Sequence, residues 1–153
     1  MIFVLASVTV MRGPAWAESI IYGSRVGMEV TVTSMLGIGG PSAIIRAVHT
    51  RANAKKFCLE YAKDSSEACI REELSTRLSD HIEANCRTGV FTTFYGEHLR
   101  FRGLDSTREG GEPEYKVMTL GSRKVLDGSS ASGYAHAIEQ FRALCPNRVQ
   151  HED

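Results

Sequence analysis

No charge of one sign predominates in this sequence: 18 Lys and Arg stand against 18 Asp and Glu. A neutral chain has no long-range attraction for a polyanion, which argues against nucleic acid as a partner. No apolar run reaches the roughly 20 residues that a membrane helix needs, so no span is expected in the mature chain. The cysteines, Cys58, Cys69, Cys86 and Cys145, include no pair at the two-to-four-residue spacing of zinc ribbons and fingers. The histidines, His49, His81, His98, His136 and His151, include no pair four residues apart, so neither a metal nor another cofactor is expected. A Gly-x-Ser-x-Gly elbow is also missing.

The first apolar run, residues 2–10, is too short to cross a bilayer, and Ala15-Trp16-Ala17 follows it with small residues where a signal peptidase reads. No Lys or Arg precedes the run, but the pattern otherwise fits a signal peptide over residues 1–17. The remainder, residues 18–153, is expected to be a single exported domain, periplasmic or secreted, because its length suits one hydrophobic core. In an oxidising compartment an even number of cysteines reads as two disulfides.

The local pattern favours one pairing. Ala54, Phe57, Cys58, Tyr61 and Ala62 fall on one helix face with Thr50 as N-cap, and Ile70, Leu74 and Leu78 recur at four-residue intervals. Between these segments, Asp64-Ser65-Ser66-Glu67 has turn and capping character, so the two form a helical hairpin. Cys58 and Cys69 flank its turn and are expected to pair, which leaves Cys86 with Cys145. Glu72 and Glu73 read as an ordinary solvated helix face beside Arg71 and Arg77.

Elsewhere the pattern is strand and turn. Met28, Val30 and Val32 alternate with polar residues over 27–34, Gly37-Ile38-Gly39-Gly40 is a hairpin loop without the Lys of a phosphate-binding loop, and 44–49 returns. Residues 82–86, 90–95 and 99–102 suggest a meander, and 115–120 is expected to pair with 124–126. Tyr134, Ala137, Ile138, Phe141, Leu144 and Cys145 make one face of a last helix that Pro146 stops and the serines at 129–132 could cap. The expected class is α+β: a small antiparallel sheet with the helical hairpin and the C-terminal helix packed on one face, and two disulfides.

Tyr22-Gly23-Ser24-Arg25-Val26-Gly27-Met28-Glu29-Val30, Asn85-Cys86 followed by Gly89-Val90-Phe91-Thr92, Phe94-Tyr95-Gly96, and Asp127-Gly128-Ser129-Ser130-Ala131-Ser132-Gly133-Tyr134 with Leu144-Cys145-Pro146 resemble a group of small exported proteins of alphaproteobacteria. The group has no assigned activity, so the resemblance implies the compartment and the cysteine framework and carries over no functional residue.

Three functional readings remain. His98, Arg100 and Arg102 alternate with Leu99 and Phe101, so they share a wet face that Arg123 or Lys124 would extend into a basic patch. That patch suits a non-enzymatic binding or accessory domain facing an anionic envelope component or another exported protein. The serines at 129, 130 and 132 with His136 raise a small hydrolase, although helix capping explains the serines and Glu97-His98 reads as a solvated turn. Small disulfide-bonded exported domains also serve as enzyme inhibitors by presenting a rigid loop.

Overall fold

A computed structural model describes residues 18–105, 115–126 and 133–149. The expected signal peptide, Ser129, Ser130, Ser132 and His151 lie outside them. Seven antiparallel strands follow one another in chain order across a single sheet: β1 (Ser19–Ile21), β2 (Glu29–Leu36), β3 (Ala43–Val48), β4 (His81–Asn85), β5 (Val90–Thr92), β6 (His98–Leu104) and β7 (Tyr115–Thr119).

Side-chain alternation sends Val30, Ile45, Ile82, Phe91, Leu99, Phe101 and Val117 to one face, where they are buried. A bulge in β2 between Val32 and Ser34 shifts that alternation, so Met35 returns to the core side while Ser34 stays wet. Helix α3 (Tyr134–Leu144) fills this face with Ala137, Ile138, Phe141 and Leu144. It touches β1, β3, β4 and β7, and a helix reaching both edge strands requires the sheet to curl around it. Phe141 stacks on Phe101 with centroids 4.5 Å apart and meets Phe91 at 4.9 Å. Burying one such ring stabilises the fold by about 1.5–3 kcal/mol.

The helical hairpin stands apart from that core. Thr50 caps α1 (Arg51–Phe57) in a reciprocal capping box with Asn53, and a π-helical turn, Cys58–Ala62, continues it. Ser66 caps α2 (Glu67–Leu74) through the Cys69 N–H. Ala54, Cys58 and Ile70 form a small cluster of their own. Helix α1 approaches β2 from the side opposite α3: Asn53 accepts from Thr31 Oγ1 at 3.0 Å and Lys56 Nζ donates to Glu29 Oε1 at 2.7 Å, both partners alternating with the inward Val30. Helix α2 instead reaches the core residue Tyr22 through Glu73.

Both disulfides join the expected partners. Cys58 and Cys69 have Cα atoms 6.1 Å apart, and Cys86 and Cys145 5.4 Å apart, the latter bond tying the end of α3 to the strand it covers. Several boundaries differ from the sequence reading. β1 was not anticipated, α2 stops at Leu74, and Leu78 packs on the main core instead of extending the helix. The return of 124–126 is reduced to one bridge, Met118 to Val125. The N-cap of α3 is Gly133 at φ +81°, with no side-chain cap of its own, and the serines expected to cap the helix lie outside the described residues.

Candidate functional site

The face of the sheet turned away from α3 carries His98, Arg100 and Arg102 of β6. Strand register aligns Asn85, Val90, Arg100, Met118 and Val125 in one row, and Thr92 opposite His98 in the next. Arg102 lies on the same face as Arg100. Lys116, between the inward Tyr115 and Val117, stands beside it on β7. Arg123 and Lys124 belong to the turn instead: Lys124 is held against Thr119, whose cross-strand neighbour is the inward Leu99. Lys116 thus joins His98, Arg100 and Arg102 in the row where Lys124 was expected. Among the described residues Arg100, Arg102 and Lys116 have no ion-pair partner. Leu120 and Val125 are exposed around them, and an open concavity of about 270 Å³ lined by Ile44, Glu83, Asn85, Val90, Thr92 and His98 adjoins.

A second constellation lies where the β1–β2 loop, the β5–β6 turn, α2 and α3 meet. Gln140, fully buried on α3, accepts from the Phe94 N–H at 3.0 Å and donates to the Ile21 carbonyl at 3.0 Å. It pins these two distant parts of the curled sheet to one helix. One helical turn earlier, His136 Nε2 lies 3.5 Å from Glu97 Oε2, which also accepts from Thr93 Oγ1 at 2.8 Å. The Tyr95 ring packs edge-on against both His136, at 5.6 Å, and Tyr22, at 5.9 Å. Tyr22 is fully buried and its hydroxyl donates to the Glu73 carboxylate. His49 meets the Tyr22 ring at 5.2 Å and holds Nε2 3.9 Å from the same carboxylate oxygen.

These surroundings perturb the acids and bases in opposite senses. Burial pushes Glu73 above the usual carboxylate range and His49 below the usual imidazole range. The His136 hydrogen bond holds Glu97 down, while burial pushes Tyr95 up. Both ring nitrogens of His49 and Nδ1 of His136 are buried without a hydrogen-bond partner among the described residues.

The sequence reading therefore missed this constellation. Glu73 is not on a solvated face, and Glu97 is a half-buried partner of His136 in place of a solvated turn residue. The spacing of Glu73 three residues after the buried Ile70 was the available signal, since the two share a helix face. His136 is turned inward to Glu97 and Tyr95, with 7 % of its side chain exposed. Among the described residues no group of His, Cys, Asp and Glu is arranged to hold a metal ion. The cluster can hold and exchange protons.

No family model, no curated protein and no solved structure matches the chain.

Proposed function

We propose that this chain matures into an exported, non-enzymatic binding or accessory domain that presents the outer face of β5–β7 to an anionic partner, an envelope component or another exported protein. The carrying observation is that Arg100, Arg102 and Lys116 share that face, unpaired among the described residues, with exposed aliphatic side chains interleaved. On a chain with no net charge such a local concentration of cations gives short-range selectivity in place of general attraction to polyanions. The two disulfides suit an oxidising compartment, and no helix among the described residues is long and apolar enough to cross a membrane. The resemblance to exported proteins of alphaproteobacteria points to the same compartment.

The rival readings find less support. A hydrolase would need His136 facing an open cleft, and it faces Glu97 and Tyr95. An inhibitor needs a projecting loop, whereas the β2–β3 loop is pinned through Gly39 N–H to the Leu144 carbonyl and through the Gly40 carbonyl to Cys86 N–H.

The test compares the mature protein with an R100E/R102E/K116E variant for retention on its own envelope fraction, at low and high salt. Retention that is lost in the variant and released by salt is expected. Equal retention of both proteins would refute the assignment. Intact mass of exported protein supplies the second measurement: a product lacking residues 1–17 is expected, and one still beginning at Met1 would refute export with cleavage at Ala17.

A further inference from the structure

Cys58–Cys69 and the Ala54, Cys58 and Ile70 cluster hold the hairpin together internally, independent of the main core. It enters directly from β3 at Thr50 and leaves through the short segment 75–80 into β4, so both ends act as tethers to adjacent strands. Its hydrogen-bonded attachments to the sheet are Asn53 to Thr31, Lys56 to Glu29, and Glu73 to Tyr22 beside His49, with Gly27 packed close against the Phe57 backbone and Arg25 over Tyr61. The bond from Tyr22 to Glu73 is the buried one. Among the described residues its carboxylate accepts from the Tyr22 hydroxyl, while an ionised carboxylate can accept several hydrogen bonds. Among the described residues neither ring nitrogen of His49 has a hydrogen-bond partner.

We propose that Tyr22, Glu73 and His49 form a proton-controlled latch. With one proton shared between Glu73 and His49 the joint is electrically neutral and holds the hairpin on the sheet; losing that proton, or gaining a second, puts a net charge in it and frees the hairpin.

The physical basis is that a net charge shielded from water is costly, whereas a neutral pair in which one partner carries the proton is not. The groups facing the joint leave it without another compensating charge close by. From the β1–β2 loop, the Arg25 guanidinium stacks over Tyr61 at 4.9 Å and its charge reaches Tyr95. From the β5–β6 turn come Tyr95 and Glu97, the latter engaged by His136 of α3 and by Thr93. From α1, Lys56 is taken by Glu29. The signs agree with the environment. A carboxyl pushed up by burial contributes stability below the ordinary carboxylate range and loses it as pH rises through its folded value. An imidazole pushed down by burial contributes above the ordinary imidazole range and loses it as pH falls.

Amide hydrogen exchange by NMR, corrected for each amide's intrinsic rate and followed from about pH 4 to 9, tests this, with the window spanning the ordinary Glu and His values. Amides of Ala54 and Ile70, bonded to the Thr50 and Ser66 carbonyls, report the hairpin, whose helices of 7 and 8 residues open readily once they leave the sheet, and those of Ile45 and Phe141 report the main core. Hairpin protection should peak in the weakly acid range and fall on both sides while core protection holds, each unit of displaced proton affinity giving about a tenfold change. Glu73→Gln should abolish the alkaline fall and His49→Gln the acid fall. Hairpin and core amides changing together, a hairpin indifferent to pH, or an alkaline fall that survives Glu73→Gln would each overturn the latch. The wild-type comparison of hairpin with core decides the matter even where a variant fails to fold.

Discussion

Replacing Cys86 and Cys145 together by alanine should be the more damaging of the two possible disulfide deletions. The bond spans a separation of 59 residues, against 11 for Cys58–Cys69. Chain entropy alone then assigns about 4 kcal/mol to the first and about 3 kcal/mol to the second. Native contacts at the same place temper the larger figure: Arg148 donates to the Cys86 carbonyl, and Gly39 N–H holds the Leu144 carbonyl at 2.8 Å, so α3 is not moored by sulfur alone. A loss of about 2–5 kcal/mol covers that range, a large share of a small domain's stability. Because α3 fills the hollow of the curled sheet, the loss should appear in the whole cooperative transition. Urea unfolding of C86A/C145A and C58A/C69A measures both. A larger loss in C58A/C69A would refute the loop-length argument, and peptide mapping without reduction that joined Cys58 to Cys86 or Cys145 would refute the fold.

Three further outcomes follow from the buried polar groups and the tight backbone contact near the hairpin. Gln140→Leu strands the Phe94 N–H and the Ile21 carbonyl and should cost roughly 1–3 kcal/mol for each; a loss under about 0.5 kcal/mol in chemical denaturation would count against the bridge. Glu73→Gln keeps an acceptor for Tyr22 while removing the buried charge, so stability at pH 8 should equal or exceed wild type, whereas Glu73→Ala should lose about 1–3 kcal/mol; a Gln variant as weak as Ala would exclude a charge effect. Gly27→Ala would place a Cβ 2.7 Å from the Phe57 Cα at a residue with φ +81°, so more than about 1 kcal/mol should be lost in thermal unfolding, and a neutral result would mean the contact relaxes.

Local pattern carried much of this structure. The alternation of Met28, Val30 and Val32, the face made by Ala137, Ile138, Phe141 and Leu144, and the turn between Cys58 and Cys69 each record what neighbouring residues need, so strand, helix and disulfide pairing were legible from one segment at a time. β1 was not, because three residues, Ser19–Ile21, are too few to display a period. Glu73 looked solvated beside Arg71 and Arg77, yet Tyr22, 51 residues away, supplies its hydrogen bond, and nothing in either segment announces the other. Lys116 entered the basic row and Lys124 left it once the β6–β7 register was set, and His136 met Glu97 across 39 residues. Sequence by itself determined which apolar side chains of the strands and of α3 turn toward a core. Which polar groups meet depended on how far the sheet curls around α3, a property of all seven strands packing together.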